Sequence, residues 1–211
     1  MYLSSFRMGD HPDRLVELAG GPGPAAVIAN AMDWAPDDVR RQCVELELAA
    51  LAGLGMEAEE LDLRDYFGPR DRLSVDLARY RLVWLRGGNV FVLRCALARS
   101  GADGLLTELL AQDAVVYAGY SAGPCVLGPS LRGLETVDDP DVVLATYGVE
   151  PVWEGMDLLP YTIVPHHRSP GHPETDALGL VADRYRAAGV PHVAIRDGQA
   201  IVIDGETTTI C

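Results

Sequence analysis

Apolar and polar positions along the chain follow two different rhythms. Short, wholly apolar runs bounded by turn residues alternate with longer segments in which apolar residues recur every three or four positions. The first pattern is typical of strands buried on both faces, and the second is typical of helices that cover a sheet. The runs that predict strands are residues 25–30, 61–63, 82–85, 114–118 and 162–164.

The segments between these runs predict five helices. The clearest one follows Pro36, carries Asp37 and Asp38 in its first turn, and has Gly53 at its end. Negative charge in a first turn is favoured by the helix dipole, and glycine commonly ends a helix. The predicted helices cover residues 37–54, 74–80, 90–100, 104–112 and 175–188.

The last part of the chain has a third pattern. Three short runs, 192–196, 199–203 and 207–210, are separated by Asp197-Gly198 and Asp204-Gly205. Asp-Gly pairs favour tight hairpin turns, so antiparallel strands are predicted here. The complete pattern predicts one α/β domain over residues 1–211, with a doubly wound, mainly parallel sheet, helices on both faces and an antiparallel C-terminal finish.

Charge narrows the classes of function. The 211 residues include 31 acidic and 17 basic side chains, giving a formal net charge of −14, and every basic residue is arginine. The absence of lysine excludes a Schiff-base lysine, a Walker A loop and a Ser-Lys dyad. The acidic excess argues against nucleic acid or an anionic membrane as a partner, because phosphate binding needs clustered positive charge. We therefore expect a small-molecule or peptide substrate.

The cysteines and the N-terminal sequence bear on redox state and location. Cys43, Cys95, Cys125 and Cys211 have no C-x-x-C spacing, which predicts reduced thiols and neither a zinc site nor a disulfide framework. The first residues lack the pattern of a secretion signal, and no apolar stretch approaches the roughly 18–20 residues of a membrane helix. We expect a cytoplasmic protein, and a homodimer is compatible with the sequence.

The strongest chemical feature follows the predicted strand 114–118. The sequence Gly119-Tyr120-Ser121-Ala122-Gly123 has the G-x-S-x-G pattern between a strand and a helix. In that context small residues allow a sharp turn that exposes the serine hydroxyl, the arrangement called a nucleophile elbow. The sequence thus predicts Ser121 as a nucleophile, with the Ala122 N–H as one donor to an oxyanion; the alternative is a glycine-rich turn with a surface serine.

A second glycine-rich turn follows the neighbouring predicted strand. Gly87 and Gly88 come after residues 82–85 and open another helix. Loops at the carboxyl ends of neighbouring parallel strands meet at one edge of the sheet, so Gly87 or Gly88 is expected to supply the second oxyanion N–H. Phosphate binding is the weaker alternative because the G-x-G-x-x-G spacing is absent.

A serine nucleophile needs a general base and a carboxylate that orients it. Three of the five histidines, His166, His167 and His172, follow the predicted strand 162–164. Two adjacent histidines cannot face the same way, so either His166 or His167 is expected to act as the base. A metal site is the less favoured interpretation of this cluster, because no second set of ligands has a suitable spacing. The chain order Ser, acid, His directs attention to three carboxylates, Glu135, Asp138 and Asp139.

Together these segments resemble the peptidase E family of aspartyl dipeptidases, whose relatives include the cyanophycinases and, more distantly, the class I glutamine amidotransferases. The resemblance implies a flavodoxin-like, class I glutamine amidotransferase-like fold and a serine peptidase that needs no cofactor and no metal. The segments that carry it are Gly87-Gly88-Asn89 with Phe91, Gly119 to Gly123, Gly128 to Arg132, Pro165-His166, and Gly171-His172 with Glu174-Thr175.

The resemblance also implies roles for particular residues. Ser121 would be the nucleophile, His166 the base, Gly88 and Ala122 the oxyanion donors, and Asp138, or in a second alignment Glu135, the acid. Residues expected to contact substrate are Asn89, Tyr120, His167, Arg168, Glu174 and Asp176.

The chain departs from the family at the position after Glu174-Thr175. The dipeptidases carry there an arginine that grips the aspartate side chain of the substrate, whereas this chain has Asp176, which would repel a carboxylate. Arg168 and Arg132 are the candidates to replace that arginine. We expect a serine hydrolase acting on an amide bond of a small peptide-like substrate. The alternatives are an amidase, esterase or amidotransferase-like enzyme on a non-peptide substrate, and a ligand-binding relative without turnover.

Overall fold

The computed structural model describes residues 1–68 and 71–211. Its strands are short, three to five residues each. In chain order they are β1 (Tyr2–Ser4), β2 (Pro24–Ile28), β3 (Glu57–Glu60), β4 (Leu82–Leu85), β5 (Val116–Tyr120), β6 (Thr162–Val164), β7 (His192–Ala194), β8 (Ala200–Asp204) and β9 (Thr207–Ile210).

Helices connect most of these strands. The long helices bury many of their apolar side chains, although Val39, Leu46 and Leu180 are exposed. In chain order the helices are α1 (Pro12–Leu18), α2 (Asp37–Gly53), α3 (Asp71–Leu77), α4 (Val90–Ser100), α5 (Ala102–Ala111), α6 (Ala122–Cys125), α7 (Val142–Tyr147) and α8 (Thr175–Ala188).

Seven strands form the central sheet in the order β3-β2-β4-β5-β1-β8-β9. The pairs from β3 to β1 are parallel, and β8 and β9 are added antiparallel at one edge. The predicted α/β fold with a mainly parallel sheet and an antiparallel finish is confirmed. Strand β4 is buried at every position, and two apolar cores cover the two faces of the sheet.

No helix in the described ranges combines the length and the apolar character needed to cross a bilayer.

In the first part of the chain, one predicted strand is wrong and two elements were not predicted. Residues 61–63 are not a strand; the edge strand is β3, just before them, and it is mostly exposed. Leu61 and Leu63 are apolar because they pack into the core from a loop and a single 3₁₀ turn, Leu63–Tyr66. Strand β1 and helix α1 have no counterpart in the predictions, since a strand of three residues and a helix of seven show too short a pattern to recognise.

The histidine-bearing strand also lies elsewhere than predicted. Strand β6 pairs with β7 in a separate two-stranded parallel sheet, not within the central sheet. The prediction that residues 192–196 belong to the antiparallel finish is therefore wrong, and Asp197-Gly198 joins strands of two different sheets. The second Asp-Gly pair does form the predicted hairpin, in which Asp204 pairs with Thr207.

Candidate active site

Strand β5 ends in a sharp turn that carries Ser121. The backbone of Ser121 has φ 52° and ψ −108°, a strained combination for a residue with a side chain, and α6 begins directly after it. A Cβ at Gly119 would lie 2.4 Å from the Leu85 carbonyl oxygen, and one at Gly123 would lie 2.9 Å from the same atom. The turn therefore packs against β4 only because both positions are glycine, as a nucleophile elbow requires.

The turn after β4 lies beside this elbow. Asn89 ends the turn as the N-cap of α4, and its side-chain oxygen accepts hydrogen bonds from the N–H groups of Phe91 and Val92. Gly88 has φ +147°, a backbone conformation that favours glycine. Within residues 1–68 and 71–211, the N–H groups of Gly88 and Ala122 have no hydrogen-bond acceptor. Both groups are thus free donors close to Ser121.

His166 lies two residues beyond β6 and is 1% exposed. Its Nδ1 is 2.7 Å from Oδ1 of Asp197. The hydroxyl of Ser5 joins the same pair, because Ser5 Oγ accepts from the His166 N–H at 2.8 Å and donates to Asp197 Oδ1 at 2.8 Å. This pairing leaves Nε2 as the basic nitrogen of His166.

Asp197 reaches His166 because their strands are neighbours. Val164 of β6 is in register with Ala194 of β7, so the segments that follow these two strands leave the small sheet side by side. The backbone N–H of Asp197 donates to Ser169 Oγ at 2.8 Å, which fixes the turn that presents its carboxylate. The rule that carboxyl ends of parallel strands converge holds here for a pair of strands outside the main sheet.

The surroundings of His166 favour a neutral imidazole. Burial lowers the pKa of His166, with a further lowering from His172, against the raising effect of Asp197. The rings of His166 and His172 are stacked with centroids 3.6 Å apart, and the edge of Phe6 contacts both. A neutral, oriented imidazole can accept a proton at neutral pH.

A cleft of about 190 Å³ connects these parts. Its lining combines Ser121, the histidine pair and the glycine turn, with one carboxylate and one guanidinium. The lining residues are Phe6, Arg86, Gly87, Gly88, Tyr120, Ser121, His166, His172, Pro173 and Glu174.

Neither of the two carboxylates expected to complete the site hydrogen-bonds the His166 ring, although Asp138 lines a small cavity next to Ser121. Asp138 is half-buried and accepts a hydrogen bond from the Val90 N–H at 2.9 Å. Burial, with an added contribution from Glu174, raises the pKa of Asp138 to about 7. Glu135 is exposed and accepts from the Gly133 N–H. Among the described residues it is Asp197, and neither Asp138 nor Glu135, that hydrogen-bonds the His166 ring.

Asp139, the third candidate acid, contributes its backbone carbonyl to Asn89 Nδ2 at 2.9 Å. This contact and the helix cap make Asn89 a structural residue of the turn; it is absent from the cleft lining.

The expected substrate-contacting residues divide between two hollows. Tyr120 and Glu174 line the cleft at Ser121. His167, Arg168 and Asp176 line a separate, larger hollow of about 600 Å³ against α8. The smaller cleft holds Ser121 and His166, and the larger hollow is lined by neither of them.

His166, His172 and Glu174 also form the one close group of three metal-type ligands in the described parts of the chain, with ligand atoms within 4.8 Å of one another. The stacked rings lie only 4° from parallel. Lone pairs in parallel ring planes do not converge on one point, so this group does not present a ready metal geometry.

Four residues of the site have no counterpart in the sequence predictions: Ser5, Phe6, Arg86 and Asp197. Asp197 could have been predicted as a site residue, because it follows a short apolar run just as Ser121 and His166 do. The Asp-Gly pair favoured a hairpin instead. Ser5 and Phe6 follow β1, which the pattern did not reveal.

Comparisons with known proteins identify the family of this chain. Residues 35–211 match the model of Peptidase family S51. The chain belongs to this family. The resemblance to peptidase E found in the motifs is thereby confirmed, and the S51 match covers both the elbow and the histidine loop.

Individual relatives are more distant. An uncharacterized peptidase of Listeria monocytogenes is 30% identical over 129 residues, which are 60% of this chain and 58% of that protein. A Drosophila melanogaster protein named "Probable alpha-aspartyl dipeptidase" is 27% identical over 134 residues, 62% of this chain and 52% of that protein. The chain thus aligns with just over half the length of these curated relatives.

A solved structure supports the fold of this S51 member. A Listeria monocytogenes EGD-e protein provisionally named peptidase E superposes with a TM-score of 0.79 at 22% identity, covering 100% of this chain and 96% of that one. The identity is low, so the likeness concerns the fold.

Proposed function

We propose that this S51 member is a serine peptidase that cleaves an amide bond of a small peptide through Ser121, His166 and Asp197. The observation that carries the proposal is the hydrogen bond from the buried His166 ring to Asp197, in the cleft that also holds Ser121 on its elbow. A serine, an imidazole and an orienting carboxylate are the parts that acyl transfer needs.

In the first half of the reaction Ser121 Oγ attacks the carbonyl carbon of the scissile amide. The Ser121 proton passes to Nε2 of His166, and Asp197 holds the Nδ1–H and stabilises the imidazolium that forms. The N–H groups of Gly88 and Ala122 donate to the oxyanion. His166 then gives the proton to the departing amine, which leaves an acyl-enzyme on Ser121.

In the second half His166 removes a proton from water, and the hydroxide oxygen attacks the acyl-enzyme. The tetrahedral intermediate collapses with return of the proton to Ser121 Oγ, releasing a carboxylic acid. The lowered pKa of His166 supports both steps, since a protonated imidazole could accept no proton.

The size of the cleft favours a small substrate. Its volume of about 190 Å³ lies below the roughly 300–1,000 Å³ of sites for drug-sized ligands. A dipeptide or a short peptide end fits this volume better than an extended chain.

The proposal is tested by reacting the protein with a fluorophosphonate probe and by incubating it with a dipeptide library. We expect covalent labelling at Ser121, located by mass spectrometry of tryptic fragments, and release of free amino acids. His166→Ala should slow labelling at least about 100-fold. His192→Ala is the matched control, because His192 lies at the start of β7, outside the cleft lining.

Two results would overturn the proposal. The first is a lack of labelling at Ser121 in folded protein. The second is labelling with hydrolysis of esters or simple amides alone, which would favour the amidase or esterase alternative.

A further inference from the structure

One arginine lines the cleft at Ser121. Arg86 follows β4 directly and precedes Gly87, so its side chain enters the lining from the turn that carries Gly88, one of the two proposed oxyanion donors. The remaining charged groups of the lining are Glu174 and the two histidines. Within the described ranges, Arg86 is therefore the permanently charged cation of this cleft.

The guanidinium of Arg86 is held in place by the protein, but some of its N–H donors have no acceptor in the described structure. Its Nη1 donates to the Gly87 carbonyl oxygen at 2.7 Å. Its Nε lies 3.3 Å from Glu47 Oε1, yet the atoms are not aligned for a hydrogen bond, and this buried Nε–H has no acceptor in the described structure. An unpaired buried donor is uncommon and costs stability unless a partner binds.

Glu47 holds Arg86 in place and is itself occupied by other donors. Its carboxylate accepts from Trp84 Nε1 and from Tyr120 OH, each at 2.8 Å. This buried carboxylate balances the charge of Arg86 without using its N–H fork. The free Nη donors of Arg86 can therefore bind a second carboxylate from the cleft side, in the planar geometry that guanidinium favours.

The other arginines near the site serve different surfaces. Arg168 lines the larger hollow together with Asp176 and Asp183. Arg132 lies over the Trp153 ring at 4.9 Å, and Arg7 lies over the Phe6 ring at 5.3 Å, outside the cleft lining. Position 176, where the dipeptidases have their carboxylate-binding arginine, lines the larger hollow and is acidic here.

We infer that Arg86 is the substrate-binding residue that recognises a carboxylate group, so that this chain selects carboxylate-bearing peptides from the β4 side of the cleft. The inference rests on the proposed function for its reaction but concerns binding alone. The carboxylate could belong to an acidic side chain or to the C-terminus of the peptide, and the chemistry at Arg86 is the same for both.

Calorimetry on the Ser121→Ala protein tests binding without turnover. Three ligands are compared: Asp-Leu, Asn-Leu and Asp-Leu-amide. Asn-Leu lacks the side-chain carboxylate, and the amide lacks the C-terminal one. We expect one of these two neutral analogues to bind at least about tenfold more weakly than Asp-Leu, and the analogue that does so identifies the carboxylate bound.

The same titrations in an added Arg86→Gln background should reduce that selectivity at least tenfold. Arg86→Lys keeps the charge, loses the fork, and should retain part of the selectivity; it also serves if Arg86→Gln does not fold. Arg168→Gln is the matched control and should leave the selectivity within about twofold.

The inference is overturned if Asp-Leu binds no better than both analogues or does not bind at all. It is also overturned if the folded Arg86 variant keeps the wild-type selectivity, or if Arg168→Gln removes it. Failure of the proposed function would appear separately, as an unlabelled Ser121 in the fluorophosphonate experiment.

Discussion

The two sides of the cleft are built in different ways. On the elbow side, Gly119 lies within the central strand β5, and Ser121 and Gly88 lie on the turns that follow β5 and β4. On the histidine side, His166 and Asp197 come from a separate pair of strands and are joined by Ser5 from a third region of the chain. The elbow is thus a local structure, and the histidine side is an assembly of distant segments.

This difference determines where each side is vulnerable. The elbow depends on glycines that a strand must approach closely, so added volume should damage it. The histidine side depends on hydrogen bonds from the buried Ser5 and His166 to the half-buried Asp197, so removal of a partner should damage it.

The largest expected effect separates the carboxylate that contacts His166 from the one that does not. Asp197→Asn should lower kcat about 10⁴-fold, because the amide cannot stabilise the imidazolium and favours the wrong tautomer. Asp138→Asn should lower kcat less than about tenfold, since Asp138 hydrogen-bonds the Val90 N–H instead. Steady-state hydrolysis of one dipeptide measures both. Equal losses in the two variants would contradict the assignment of Asp197.

The next effect concerns the elbow. Gly119→Ala places a Cβ 2.4 Å from the backbone of Leu85, so the turn must shift. We expect at least 100-fold lower kcat/KM and a loss of about 3 kcal/mol or more in the free energy of unfolding, measured by urea denaturation.

Gly104→Ala is the matched control for this variant. Gly104 lies in α5 with open space around the added atom, so the same change should leave activity intact and stabilise the helix by up to about 1 kcal/mol. An active, fully stable Gly119→Ala protein would show that the elbow is not packed as described.

Asp138 should make stability depend on pH. Its pKa is raised to about 7 by burial, so the folded state prefers the protonated acid, and stability is lost as pH rises from about 4 through 7. Relative to Asp138→Asn, the wild type should lose roughly 2–4 kcal/mol in the free energy of unfolding between pH 4 and pH 8. Glu135→Gln changes an exposed carboxylate, so its free energy of unfolding should depend on pH as that of the wild type does. Parallel curves for wild type and Asp138→Asn would disprove this titration.

The smallest of these effects tests the hydroxyl that joins the histidine side. Ser5→Ala removes the bridge between the His166 N–H and Asp197, and the expected cost is about tenfold in kcat. Ser100→Ala is the matched buried control, because that hydroxyl bonds only within α4 and to the Ala102 N–H that follows it. A kcat unchanged by Ser5→Ala would mean that Asp197 is held without the bridge.

The same contrast explains what the sequence could predict. Apolar runs and the G-x-S-x-G spacing are local, so the fold class, most of the central strands and the elbow were predictable. Asp197 was not, because its role depends on the register of β6 and β7, and an Asp-Gly pair reads locally as a turn. Leu61 and Leu63 led to a strand prediction that is wrong, since a loop can bury apolar side chains as a strand does.

The pairing of His166 with Asp197 is tested most directly by a double-mutant cycle. kcat/KM for one dipeptide is measured in the wild type, His166→Ala, Asp197→Ala and the double variant. Asp197 acts through His166, so the double variant should be about as slow as His166→Ala alone, within threefold. Losses that multiply across the two positions would contradict a shared unit and would separate Asp197 from the chemistry of the site.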